Sequence, residues 1–273
     1  MITIAHIYND FNGKFGIPRQ SGLVEGLEAR IVFCPEYRNA DALRGLEGFS
    51  HIWLLWDFSQ AHTEKWSPTV RPPRLGGNKR MGVWATRSPF RPNNIGLSSV
   101  RILKIELDTP EGPVIHVEGA DLMNGTPILD IKPYLPFTDS HPEASSGWTT
   151  EANNTSLNVV IPDSVRTSYP FTPLQWKAIE GILAGDPRPH YQNDPTRVYS
   201  FEFHGITIHF IVDGDTVFGR AVNASLQNKT LHFLGGEGML AVSKPSLCQR
   251  LCRLGKGQKL GVCQQGGTRV LIM

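Results

Sequence analysis

Three things are scarce in this 273-residue chain: paired cysteines, long apolar runs, and acidic residues over one long stretch. The longest apolar run, Ile52 to Trp56, is far too short to cross a bilayer, so no membrane contact is expected. The opening residues, Met1 to His6, lack the basic start, apolar run and small cleavage residues of a secretion signal. The four cysteines, Cys34, Cys248, Cys252 and Cys263, form no CxxC pair, whereas zinc sites want tighter pairs or histidines at fixed offsets. A cytoplasmic protein without a structural metal is the expectation. Neither HExxH nor GxSxG occurs, which argues against a metal or serine hydrolase. No Walker loop or GxGxxG occurs either, so a nucleotide-like cofactor has to bind outside the usual Rossmann arrangement.

What is present has ordinary globular composition, 40% apolar and 19% charged, enough for one good core and a second smaller one. Short β-like runs come first: Ile2 to Tyr8, Ala29 to Cys34, His51 to Phe58, Gly82 to Thr86, Leu97 to Leu107 and Val114 to Glu118. From His51 to Phe58 apolar residues occupy both alternating faces, which predicts a strand covered on both sides. Glycine and proline clusters separate the runs, as turns require. Many short strands with little helix predict a barrel or a sandwich. Between Pro136 and Asn158 the Ser, Thr, Asn and Pro content predicts a linker. A helix follows, with Thr172 as N-cap, Pro173 at its first position, Gln175 completing a capping box and Gly185 at its end. Trp176, Ile179 and Leu183 share one face of it. Runs at Val198 to Phe203, Ile206 to Val212 and Val217 to Arg220 complete a small α+β unit. From Ala224 repeated glycines break any period, and no order is predicted there.

A net charge of +2 does not by itself suggest a nucleic-acid partner, but the charge is unevenly spread. Between Lys65 and Lys104 there is no Asp or Glu, while Lys65, Arg71, Arg74, Lys79, Arg80, Arg87, Arg91, Arg101 and Lys104 all fall there. Trp66, Trp84 and Phe90 are interleaved with them. Local positive charge suits a phosphate backbone, and aromatic rings stack on unpaired bases. The arginines sit among turn formers (RPPRLGG, RSPFRPNN), which puts their planar forks on loops. A solvated basic surface that binds nothing is the competing reading.

Five segments carry a resemblance: PRQSGLV (18–24), ADALRGLEGFSHIWLLWDF (40–58), TVRPPRLGGNKRMGVWATRSPFRPNNIGLS (69–98), GADLMNGTPILDIKPYLPF (119–137) and LAGDPRPHY (183–191). Together they resemble the TrmO family, also called YaeB or TsaA-like, over residues 1–223. The resemblance implies a mainly β fold: a small β-barrel methyltransferase domain over 1–137, a linker over 138–158 and a small α+β domain over 159–223. The tail, 224–273, has no counterpart. It also implies a homodimer that uses S-adenosylmethionine to methylate N6 of threonylcarbamoyl-adenosine at position 37, in the anticodon arm of tRNA. Cofactor contacts are implied for Pro18, Arg19, Gln20, Ser59, Gln60, Arg87, Leu97, Asp121, Leu122, Met123 and Asn124. Members often carry His where this chain has Ser59.

Methyl transfer from a sulfonium is an in-line displacement, so alignment is the protein's main task, followed by local electrostatics. Leu97, Leu122 and Met123 suit the walls of an adenine pocket, and Asp121 suits the cofactor's ammonium or ribose, with a turn aspartate as the alternative. The target nitrogen belongs to a urea-like linkage, and a general base would help remove its proton. Asp41, His51 and Asp130 are candidates. Their plainer roles are a turn cap before Arg44, a hydrogen-bonded core histidine and an ion pair with Lys132. Arg71, Arg74, Arg91 and Tyr134 are expected on the substrate side, one arginine (Arg87 included) pairing with the threonyl carboxylate. An RNA-binding module of the same fold, without methyl transfer, is the alternative function.

Overall fold

In the computed structural model of the chain the described residues are 1–150, 156–188 and 194–223, with four short strand segments at 230–233, 240–243, 263–265 and 268–270. The rest of the tail expected over 224–273 lies outside them. Among the described residues twelve strands precede it: β1 (Ala5–Tyr8), β2 (Glu28–Phe33), β3 (His51–Asp57), β4 (Thr69–Val70), β5 (Met81–Gly82), β6 (Ile95–Glu106), β7 (Val114–Glu118), β8 (Pro127–Pro133), β9 (Asn158–Val160), β10 (Tyr199–Phe203), β11 (Ile206–Asp213) and β12 (Thr216–Asn223). Six of these close into a barrel in the order β1-β2-β7-β6-β3-β8. Every pairing is antiparallel, and Ala5 opposite Ile128 closes the ring. Closure leaves no free strand edge in this sheet. Alternate residues point inward, so Ala5, Ile7, Ala29, Ile31, Ile52, Leu54, Val100, Ile115 and Val117 fill the interior.

Two strand expectations are corrected. In β3 only Ile52, Leu54 and Trp56 are buried, while Trp53 and Leu55 face outward and are half-buried. A barrel has a single interior, so an apolar outward face must be covered piecemeal. The Trp53 ring lies 5.5 Å from that of Tyr134, and its Nε1 donates to Asp139 Oδ2 at 2.8 Å, at the end of helix α1 (Pro136–Asp139). The strand expected from Gly82 to Thr86 ends at Gly82 and gives way to a 3₁₀ turn over Val83–Ala85, with Val83 buried beneath it.

The C-terminal sheet has the order β10-β11-β12-β9, and β9 runs parallel to β12. Helices α2 (Asp163–Arg166) and α3 (Pro173–Ala184) pack on it through Val165, Trp176, Ile179, Ile182 and Leu183. Helix α3 starts as expected: Thr172 Oγ1 accepts from Gln175 N at 3.2 Å, and Gln175 Oε1 accepts from Thr172 N at 2.8 Å. Gly185 ends it in right-handed geometry, and the left-handed residue is the next one, Asp186, at φ 47°. Thr172→Ala is expected to cost about 1 kcal/mol, read as a lower urea midpoint with an unchanged slope.

The second core is not built from the C-terminal unit alone. Phe11, Val24 and Leu27, from the long β1–β2 loop, are buried in it, and Phe15 and Ile17 pack against it. At Gly26, φ is +79° and a Cβ would lie 2.8 Å from the Leu174 carbonyl oxygen, so only glycine fits where this loop meets α3. The loop that carries Pro18, Arg19 and Gln20 is therefore clamped between barrel and second sheet. Among the described residues no helix is long and apolar enough to cross a membrane.

Candidate active site

Three segments far apart in sequence meet over β6: the β1–β2 loop, the long β3–β6 excursion, and the turn after β7. Asp121 is the centre of the cluster. Ser98, on β6, points into the barrel and is 1% exposed. Its hydroxyl accepts from Trp56 Nε1 at 3.0 Å and donates to Asp121 Oδ1 at 2.5 Å. The barrel interior thus fixes a carboxylate at its surface. The β1–β2 loop is stitched down beside it, since Gly22 N donates to Gly119 O at 2.9 Å and Ser99 N donates to Ser21 Oγ at 3.2 Å. The Ser21 amide also reaches the Asp121 carboxylate.

Arg87, from the β3–β6 excursion, donates to Gln20 Oε1 and lies close enough for its charge to act on Asp121. Gln20 in turn donates to the Arg19 carbonyl, and Arg19 Nη2 donates to the Asp186 carbonyl at 2.6 Å. Asp186 carries a shielded ion pair, Oδ1 to Arg188 Nε at 2.8 Å. A chain of contacts therefore runs from the end of α3 through Arg19 and Gln20 to Arg87.

Burial pushes the Asp121 carboxyl above its ordinary range. The Ser98 hydrogen bond, its own amide, the Arg87 charge and the Ser21 amide pull the other way without cancelling it. An ionised carboxylate here is short of positive charge, and a cationic ligand would relieve that shortage.

The remaining expected cofactor residues are placed unequally. Leu97 faces outward on β6, 49% exposed and directly opposite Leu55 of β3. Leu122 is corrected as a pocket wall: its side chain is 0% exposed in the barrel core, and its carbonyl accepts from Asn9 Nδ2 at 2.8 Å. Met123 is half-buried, with its carbonyl bound to Thr126. Asn124 is tied to the β1–β2 loop through its amide to Phe11 O and its side chain to Asn9 and Asn12. Pro18 is half-buried in the loop, and Ser59 and Gln60 lie in the exposed turn after β3.

None of the proposed bases belongs to the Asp121 cluster, although Asp130 lies directly across Leu55 from Leu97. Asp41 is exposed, paired with Arg44 in a short turn capped by Asn39. Asp130 pairs with Lys132 at 2.8 Å. His51 meets Ser50 Oγ at 2.9 Å and faces Tyr134, ring to ring at 6.2 Å, at the end of β3 opposite Ser59. Asp130 is in the expected ion pair, His51 is hydrogen-bonded but half-buried rather than in the core, and the turn before Arg44 is capped by Asn39 and not by Asp41; Tyr134 packs with His51 and Trp53. Arg91 has partners in its own loop. Its Nη1 donates to Thr86 O at 2.7 Å and Val83 O at 3.3 Å, so it staples its own loop as well as carrying charge there. Arg71 is exposed, and Arg74 sits in the 3₁₀ turn Pro73–Leu75. Sequence reasoning missed Ser98, Trp56, Ser21 and Asp186. All four stood within the quoted motifs, but nothing in the pattern distinguishes a hydroxyl turned into a barrel from one turned outward.

This geometry accompanies close similarity to known proteins. The family model for the tRNA-methyltransferase O N-terminal domain matches residues 6–140, and that for the TrmO C-terminal domain matches residues 160–225. A relative from Escherichia coli (strain K12), tRNA (adenine(37)-N6)-methyltransferase, is 40% identical over 218 residues, covering 77% of this chain and 91% of the relative. A Pseudomonas aeruginosa relative, a putative S-adenosylmethionine-dependent methyltransferase named RcsF, is 38% identical over 220 residues, covering 76% of this chain and 90% of that one. The crystal structure of TrmO from Pseudomonas aeruginosa superposes with a TM-score of 0.62 at 30% identity, covering 81% of this chain and 97% of that chain. With both domain families matched in chain order around the barrel and the sheet described above, the chain belongs to the TrmO family.

Proposed function

We propose that this chain transfers the methyl group of S-adenosylmethionine to N6 of threonylcarbamoyl-adenosine at position 37 of tRNA, as a homodimer in the cytoplasm. One observation carries the reading: Gln20, Arg87 and Asp121, from three separate segments, form a single cluster over β6. The names of the relatives supply the reaction class, tRNA adenine-N6 methylation and use of S-adenosylmethionine.

The cluster fits the cofactor's chemistry. Its amino-acid end carries an ammonium and a carboxylate, which match an electron-rich Asp121 and a cationic Arg87. The exposed side chain of Leu97 offers an apolar wall. When bound, the cofactor supplies an electrophilic methyl on a good leaving group. The chain's own residues hold and orient. Ser98 and Trp56 fix the Asp121 carboxylate, Gln20 fixes the Arg87 guanidinium, and Arg19 ties their loop to the second sheet. Arg71 and Arg74 supply charge for the RNA backbone or the threonyl carboxylate. An outward, mainly apolar groove lined by Ile2, Ile4, Tyr37, Leu55, Ile95 and Leu129, with Asp130 as its one charged side chain, adjoins Leu97 and supports burial against a second copy.

The test uses labelled cofactor with tRNA from cells lacking this activity, prepared with and without the threonylcarbamoyl group, and mass spectrometry of the nucleosides. One added methyl on the modified adenosine alone is expected. Equal turnover of both tRNAs would remove the substrate assignment. Binding of tRNA without any transfer would leave the RNA-binding module.

A further inference from the structure

We propose that Trp66 and Trp84 form a stacking platform for the unpaired nucleotides that flank the target in the anticodon loop; this rests on the tRNA reading above. Large aromatic rings are normally among the more buried side chains. Here Trp84 is 66% exposed, Phe90 50% and Trp66 48%, and all three lie in the excursion between β3 and β6, in its acid-free part from Lys65 onward. The Trp66 and Trp84 rings stand 5.7 Å apart, inclined at 30°.

The exposure is built into the loop. Trp84 occupies the 3₁₀ turn Val83–Ala85, whose neighbouring Val83 is buried and anchors it. The Arg91 guanidinium lies 5.3 Å from the Trp84 ring centroid while its Nη1 holds the carbonyls of Val83 and Thr86. Trp148, from the segment after the barrel, braces the same turn by donating to Ala85 O at 2.7 Å. Three contacts thus spend binding groups on keeping an indole outside.

Charge selects the occupant. Lys65, Arg71 and Arg80 are exposed on the same excursion, whose single carboxylate, Glu64, is outnumbered by seven Lys and Arg residues. A second copy would have to bring an identical basic surface against this one, since a twofold contact pairs a patch with itself. An RNA loop brings phosphates for the cations and unstacked bases for the rings. The platform is also near the chemistry: Trp84 and Arg87 are three residues apart, at most about 11 Å along the chain.

The experiment measures binding of a fluorescent anticodon stem-loop to the full-length chain, with S-adenosylhomocysteine present, over a range of salt. Trp84→Leu and Trp66→Leu keep apolar bulk and remove the aromatic face. Each is expected to weaken binding by about five-fold to 100-fold, the range for one stacked base. The salt slope should stay unchanged, whereas Arg71→Ala should lower it by about 1. Trp84→Phe should recover most of the loss, and cofactor affinity and melting temperature should match the parent, because these rings are exposed. Leucine variants that bind within two-fold of a methylating parent would overturn the platform and leave the enzyme. A parent that binds the stem-loop but transfers no methyl would overturn the enzyme and leave the platform. A parent that binds no stem-loop would overturn both. Loss of RNA binding that follows a change in oligomeric state by sedimentation would replace the platform with a protein contact.

Discussion

Asp121→Asn is expected to raise the melting temperature at neutral pH while weakening cofactor binding by about 10-fold to 100-fold, the loss appropriate to a charged hydrogen bond. The two effects share one cause. Burial holds the Asp121 carboxyl above its ordinary range in the folded protein. A group with a raised folded pKa contributes its stability below the unfolded pKa and loses it as pH rises through the folded one. At pH 7 the ionised side chain is therefore a liability to the fold. Asparagine removes that charge, and its amide oxygen can still accept from Ser98. The stability gain should shrink as pH falls through the carboxylate range, because Asp121 is then neutral as well. Melting curves against pH, paired with calorimetric titration of S-adenosylmethionine, test both halves. A gain over the parent no larger at pH 7 than at pH 3.5 would show that desolvation of this charge is not what the fold tolerates. Tight binding by the same variant would remove Asp121 from the cofactor site. A charge kept at a cost to the fold is a common mark of a functional position.

The legible and illegible parts of this molecule divide along a physical line. Local signals are legible. Thr172 and Gln175 define a helix start through contacts three residues apart, and β6 and β7 follow from the β-like runs Leu97 to Leu107 and Val114 to Glu118. What depends on distant partners was not legible. Phe11, Val24 and Leu27 look like turn-flanking apolar residues, yet they complete a core whose other members begin at Ile161. Trp53 and Leu55 looked fully covered because a both-faces pattern cannot tell a central strand of an α/β sheet from a barrel wall with local cover. At the site, residue type alone led to Asp41, His51 and Asp130, each occupied by a neighbour no more than three residues away. The motif resemblance points to Gln20, Arg87 and Asp121, which the fold brings into one cluster, since a long ordered motif records spatial neighbours that composition does not. It was silent on Ser98, whose importance lies in a partner 42 residues back and another 23 residues ahead.

That hidden partner gives the other large expected effect. Gly96 sits opposite Trp56 in the β3–β6 ladder, and a Cβ there would lie 2.2 Å from Trp56 Cε2, with two more indole carbons at 2.5 Å. The indole lies over the glycine backbone and meets the Phe58 ring at 4.1 Å between centroids. Gly96→Ala is therefore expected to destabilise the protein by about 1–3 kcal/mol or more through overpacking. Cofactor affinity should fall as well. A displaced indole withdraws Nε1 from Ser98 Oγ, and that hydroxyl then no longer has a fixed orientation toward Asp121. Pairing the change with Trp56→Leu separates the two effects. The double variant should be more stable than the sum of the single losses predicts, because the clash is gone. Its cofactor affinity should stay low, because leucine has no donor for Ser98. Full recovery of affinity in the double variant would mean that the indole only fills space, and that the Trp56–Ser98–Asp121 chain does not reach the bound cofactor.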